Sequence, residues 1–168
     1  MLIRDATPAD AAAIAAIYND AVVHTTAVWN DTPVDADDRR AWMQARMAQG
    51  YPVLVAEAGG QVLGYASFGD WRAFAGYRHT VEHSVYVHPG ARGQGVGRAL
   101  LLALIARARA AGKHVMVAAV EAGNTPSIAL HESLGFVRTG LMPQVGAKFG
   151  RWLDLAFLQL RLDDRAAP

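Results

Sequence analysis

The chain has 168 residues, with 16 Lys+Arg against 15 Asp+Glu and a formal net charge of +1. That length suits one domain, and the charge balance argues against a binder of nucleic-acid phosphates. It contains no cysteine, which excludes thiolate nucleophiles, cysteine-ligated zinc, iron–sulfur clusters and disulfides. The longest apolar run, Ala99 to Ala106, falls well short of the ~20 residues of a membrane span. The start, Met1-Leu2-Ile3-Arg4-Asp5, lacks the apolar stretch of a signal peptide. The expectation is one soluble, cytoplasmic domain over residues 1–163 with a short tail, 164–168.

In chain order, Leu2 to Arg4 reads as a strand, and Thr7-Pro8-Ala9-Asp10 as a helix start with a cap, a first-turn proline and a first-turn acid. Ile14, Ile17, Tyr18 and Val22 recur at helical spacing. A loop from His24 to Pro33 precedes a second helix, Asp35 to Gln49, closed by Gly50. The period then becomes that of strands, with a hairpin of Pro52–Glu57 and Gln61–Phe68 around Ala58-Gly59-Gly60. Gly69 to Thr80 has no period but concentrates Trp71, Arg72, Phe74, Tyr77 and Arg78. Val81 to Val87 alternates as a strand, and a glycine-rich turn leads into a helix that ends at Gly112. Lys113–Val120 is a strand, Thr125–Leu134 a helix, and Phe136–Leu141 and Trp152–Leu162 are closing strands. The order β-α-α-β-β-β-α-β-α-β-β is mixed α+β, without the alternation of a doubly wound sheet.

The strongest chemical signal is Val85-Tyr86-Val87-His88-Pro89-Gly90-Ala91-Arg92-Gly93-Gln94-Gly95-Val96-Gly97-Arg98. A strand running into glycines and then a helix offers backbone N–H groups to an anion, and Arg92 and Arg98 add charge. A pyrophosphate suits it. The spacing is not the G-x-G-x-x-G of dinucleotide sites, and there is no Gly-Lys-Ser/Thr of a Walker loop. Arg92 to Gly97 resembles the Q/R-x-x-G-x-G/A motif of the GCN5-related N-acetyltransferases, and Asn124 to Phe136 resembles that family's Asn…Gly-Phe segment. The stretch Tyr77 to Val87 and the Leu130-His131-Glu132 variant are similar to the phosphinothricin and methionine sulfoximine acetyltransferase branch.

The resemblance implies an α+β fold, a mixed αβα sandwich. Its central, mostly antiparallel sheet would have about seven strands splayed at the cofactor site, with about four helices. It implies acetyl-CoA as co-substrate, with no metal. Val85, Tyr86 and Val87 would pair with the pantetheine arm, and Gly93, Gln94, Gly95, Val96, Gly97 and Arg98, with Arg92, would hold the pyrophosphate. Asn124 and Ser133 would contact the cofactor further along. A homodimer is implied, with Trp152–Leu160 and the Leu141–Phe149 turn apolar enough to contribute; no nucleic acid or membrane partner is.

The chemistry also has its own logic. An amine attacks a thioester only when neutral, so a carboxylate near it, directly or through water, helps take a proton. Alternation puts Glu82, Ser84 and Tyr86 on one face, and Val81, His83, Val85 and Val87 on the other, toward the core. Glu82 is the candidate base; its bland alternative is a strand glutamate or an ion-pair partner of Arg72 or Arg78. His131 replaces the tyrosine that many members of the family use as acid. With an ordinary pKa near ~6.5 an imidazole can donate or accept, so acid, relay, substrate contact and packed core residue all stay open; Tyr86 is a weaker alternative acid. His79 and His83 lie four apart without a third ligand, which argues against a metal site. Arg72, Ala73, Phe74, Tyr77 and Arg78, with Trp29 and Glu82, are candidates for a substrate pocket, because guanidinium forks suit tetrahedral oxygens. The implied acceptor is a small α-amino acid of the methionine sulfoximine, methionine sulfone or phosphinothricin type. A peptide N-terminus, and a non-catalytic CoA-binding module, are the alternatives.

Overall fold

The computed structural model describes all 168 residues. The strands are β1 (Leu2–Asp5), β2 (Val53–Ala58), β3 (Gln61–Asp70), β4 (Thr80–Val87), β5 (Val115–Glu121), β6 (Val137–Lys148) and β7 (Arg151–Arg161). The helices are α1 (Ala11–His24), α2 (Ala36–Ala48), α3 (Val96–Ala110) and α4 (Thr125–Ser133). The seven strands form one sheet in the order β1-β2-β3-β4-β5-β7-β6. Every neighbouring pair is antiparallel except β4 and β5. No helix is long and apolar enough to cross a membrane.

Alternation divides the strands' side chains between two layers. Val53, Val55 and Tyr65 pack with Ile14, Ile17 and Met43, under α1 and α2. Leu54, Ala66, Phe68 and Val81 join Leu100, Leu104, Met116, Ile128 and Leu158, under α3 and α4. The helices cover both faces because both rows are apolar.

The first turn differs from the expected simple cap. Pro8–Asp10 is a tight three-ten turn, and buried Asp10 accepts from the Thr7 N–H (2.7 Å) while two Arg4 nitrogens reach its oxygens at 2.8 Å. Its pKa is held down at about 2, chiefly by the Arg4 hydrogen bonds.

The closing hairpin is longer than its pattern indicates. β6 runs to Lys148, through the Leu141–Phe149 segment read as a turn. It carries a bulge between Met142 and Gly146, where Gln144 has φ 54° and donates its N–H to Asp154 at 2.7 Å. Val137 to Val145 is exposed on both faces, so no alternation marks it. Lys148 at its end is 4% exposed.

Candidate active site

The parallel pairing of β4 with β5 covers only Thr80–Glu82 against Val115–Val117. Beyond that, β4 stays with β3 as far as Val87 and β5 stays with β7 as far as Glu121. The two strands therefore splay, and a cavity of about 300 Å³ opens between them. Ladder geometry says which backbone groups face it. His88 donates to Leu63 O at 2.8 Å, and the register sets Tyr86 opposite Tyr65. Antiparallel alternation then turns the N–H and C=O of Ser84 and Tyr86 toward β3, and those of Val85 and Val87 into the gap. Of the three residues expected to receive an extended ligand, Val85 and Val87 offer backbone groups; the backbone of Tyr86 is already used.

Glu82 stands at the vertex of the splay, half-buried, lining the cavity. It has no ion-pair partner within contact distance, unlike the bland reading of it. Burial pushes its pKa up, opposed by the charges of Arg72 and Arg46. Arg46 of α2 lies over Gly69, the residue opposite Glu82 on β3. No local pattern links residue 46 to residue 82; only the packing of α2 on the sheet brings them together.

His131 is 1% exposed on α4 and lines the same cavity. Its Nδ1 is 2.7 Å from Ser127 O and its Nε2 is 3.1 Å from Nε2 of His83. The rings stack with centroids 5.0 Å apart, and Phe136 packs edge-on against both. Burial, and then the neighbouring His131, push His83 down to about 3; burial also lowers His131. Alternation put His83 on the right face, but its partner comes from a helix 48 residues away.

The loop after α1 supplies the opposite wall through Ala27, Val28 and Trp29. Lys148 holds this loop from below, donating to Val22 O (2.5 Å), Thr25 O (2.8 Å) and Val28 O (2.5 Å). The Trp29 indole lies on Gly146, where it leaves no room for a Cβ. Thr26 donates to Glu121, which lines the cavity at the end of β5. Sequence reasoning missed Lys148, Glu121 and Arg46; all three act through long-range contacts.

The aromatic and arginine segment behaves differently. Trp29 and Glu82 line the cavity, but Arg72, Ala73, Phe74, Tyr77 and Arg78 do not. Phe74 is 77% exposed, and the Arg78 guanidinium bonds back to Ala75 O at 3.1 Å. A three-ten turn at Ala75–Tyr77 carries this stretch over the surface. Arg72 stacks on Trp71 at 4.0 Å and is near enough to act on the charge of Glu82.

At the other end of the gap, Gly93 (φ 75°) and Gly95 (φ 80°) adopt left-handed backbone that favours glycine, with no atom within 4 Å of where a Cβ would stand. The first bond of α3 runs from Ala99 N–H to Gly95 O. The amides of Val96, Gly97 and Arg98 therefore precede any intrahelical acceptor and point out of the helix end. Gln94 closes the turn onto Gly90 O at 2.9 Å, and Arg92 pairs with Asp20 at 2.6 Å. Asn124 caps α4 through Ser127 N–H (3.2 Å), and its side-chain NH2 is not used in that cap. The Ser133 hydroxyl donates to Leu130 O at 2.7 Å.

Comparison with known proteins gives a consistent result. The family model described as "Acetyltransferase (GNAT) family" matches residues 14–136. The chain is 65% identical over 168 residues to the L-amino acid N-acyltransferase MnaT of Escherichia coli (strain K12), covering 100% of this chain and 98% of that protein. It is 64% identical to the L-methionine sulfoximine/L-methionine sulfone acetyltransferase of Salmonella typhimurium, with the same coverage. A Salmonella typhimurium structure solved with its cofactor acetyl-CoA superposes with a TM-score of 0.97 at 64% identity, covering 99% of this chain and 96% of that one. The splayed sheet, the glycine-rich helix start and the matched sequence together establish that the chain belongs to the GNAT family of acetyltransferases.

Proposed function

We propose that the protein is an acetyl-CoA-dependent N-acetyltransferase acting on the α-amino group of a small amino acid of the methionine sulfoximine or methionine sulfone class, with phosphinothricin as a further acceptor. The observation that carries this reading is Glu82, half-buried without an ion-pair partner, at the point where β4 loses its neighbour. The names of the close relatives support the acceptor class.

The residues present fit acetyl-CoA. The open space before Gly93 and Gly95 leaves room for phosphate oxygens against the first-turn amides of α3. The free backbone groups of Val85 and Val87 can receive an extended amide chain as a strand would. Bound there, acetyl-CoA supplies an activated acetyl thioester.

The chain's own residues do the remaining work. An α-ammonium carries one proton too many to act as a nucleophile, and Glu82 takes it, directly or through one water. A carboxylate whose pKa is raised by burial accepts that proton more readily than an exposed one. Arg72, exposed outside the cavity wall but close enough for its charge to act on Glu82, offers a guanidinium that suits the oxygens of the substrate's tetrahedral side-chain terminus. Trp29 and Val28 form an apolar wall on one side of the cavity. Ala73, Phe74, Tyr77 and Arg78 lie outside the cavity wall, so their contribution is to its surface approach.

We also propose a homodimer through the β6–β7 hairpin. Leu141, Met142, Val145, Phe149 and Trp152 are all exposed on it, and large apolar side chains gathered on one edge hairpin are what a partner surface would cover.

The test is acetyl-CoA consumption over methionine sulfoximine, methionine sulfone, phosphinothricin, the common amino acids and short peptides. Turnover concentrated in the first three is expected. Preference for peptides would move the acceptor to a protein N-terminus, and CoA binding without any turnover would leave only a binding module.

A further inference from the structure

We propose that His83 is a positioning residue for acetyl transfer: its Nε2–H donates to His131 Nε2 and holds the His131 ring at the splay as the Nδ1–H tautomer, with no proton free for the leaving thiolate. The argument is a count of hydrogens. Ser127 O can only accept, so His131 Nδ1, 2.7 Å away, carries a hydrogen. A neutral imidazole has one N–H, so His131 Nε2 presents a lone pair. The 3.1 Å contact between the two Nε2 atoms then requires the hydrogen on His83. His83 Nδ1 is left as the lone-pair nitrogen, and that atom is buried without a partner.

The opposite arrangement is worse on two counts. A proton on His131 Nε2 as well as on Nδ1 would make a buried cation, in a place where burial penalises charge. It would also force the His83 hydrogen onto Nδ1, giving a buried N–H without an acceptor, which proteins tolerate less often than an unused lone pair. Both N–H groups of the pair are therefore engaged within the pair and with Ser127.

The location gives the pair its role. Glu82 is the last β4 residue paired with β5, and His83 is the next. His131 belongs to α4, which follows β5 in the chain. The imidazole contact ties β4 to α4 at the first position where the backbone ladder stops, and Phe136 braces both rings. Neutral His131 is thus a fixed ring in the cavity wall with both nitrogens engaged, and the proton that ends on the departing sulfur comes from another group or from water.

The kinetic part rests on the acetyltransferase reading, whereas the tautomer part stands without it. Long-range proton–nitrogen NMR on the uniformly nitrogen-15-labelled protein at neutral pH should give a pyrrole-type Nδ1 and pyridine-type Nε2 for His131, and the reverse for His83. His83→Gln keeps an N–H donor without a titrating ring, and His83→Leu keeps bulk without a donor. We expect His83→Gln to retain kcat within about threefold and His83→Leu to lower it about tenfold, the loss of one hydrogen bond of about 1.4 kcal/mol, with KM for acetyl-CoA unchanged. A pyridine-type Nδ1 on His131 in the wild-type protein overturns the inference, and so does an unchanged kcat in His83→Leu. If His83→Gln is as impaired as His83→Leu, the second ring nitrogen takes part and the positioning role is wrong. Should both variants fail to fold, the wild-type spectrum alone decides. Absence of turnover with every amine would sink the acetyltransferase reading while leaving the tautomers as they are.

Discussion

At Glu82 the same burial that suits a base costs the fold something. Its pKa is raised, with desolvation the largest cause and Arg72 and Arg46 opposing. A carboxyl that binds its proton more tightly when folded favours the fold at low pH, and that contribution is lost as pH rises through the raised pKa. Glu82→Gln is therefore expected to raise the melting temperature at pH 8 while lowering kcat/KM by about 10²–10⁴, the usual worth of a positioned general base. Paired melting curves and initial rates check both directions. The acidic limb of the kcat/KM profile should follow Glu82. Arg46→Met removes a charge that holds the Glu82 pKa down, so its limb should move to higher pH. A limb that stays in place in Arg46→Met would disconnect the profile from Glu82.

At the scale of elements, two joints govern the site. The start of α3 depends on Gly95, whose φ of 80° an alanine adopts only with strain. Gly95→Ala should cost about 1–2 kcal/mol of stability by that strain, and its methyl would enter the cradle, raising KM for acetyl-CoA about tenfold, 1.4 kcal/mol of binding. Denaturant melts and substrate titrations separate the two effects. The second joint is Lys148, whose three ammonium hydrogens meet three carbonyls of the segment that ends α1 and leads into the Trp29 loop. Lys148→Met strands those carbonyls and should cost about 3 kcal/mol, with KM for the amine rising as the wall of Val28 and Trp29 loosens. The glycine-rich joint was legible because its signal is local: strand, glycines, helix. The lysine joint was not, because Lys148 meets Val22 across 126 residues. The same distinction separates Glu82, placed on its face by strand alternation, from Arg46 and His131, whose neighbours are chosen by helix packing. It also explains β6, whose exposed residues on both faces carry no period to read.

For the whole molecule, the order of eleven elements follows from apolar period and turn residues alone, and the sheet order adds the consequence that matters. One parallel pair sits in an otherwise antiparallel sheet, and it is the pair that parts. The near-zero net charge conceals Arg72 and Arg46 about the carboxylate at one end of the gap and Arg92 and Arg98 by the glycines at the other. The edge hairpin bears on assembly. Trp152→Glu, at a side chain 67% exposed, should leave the monomer folded and shift sedimentation equilibrium from dimer to monomer; a wild-type protein already monomeric at micromolar concentration would remove the dimer proposal. The central claim is that this gap transfers acetyl to a small amino acid with Glu82 as the base. The most direct measurement is the steady-state release of CoA thiol with L-methionine sulfoximine by the wild-type protein and by Glu82→Gln, side by side. The account predicts saturable turnover in the wild type and a loss of about 10²-fold or more in the variant; equal rates in the two proteins, or no release in either, would contradict it.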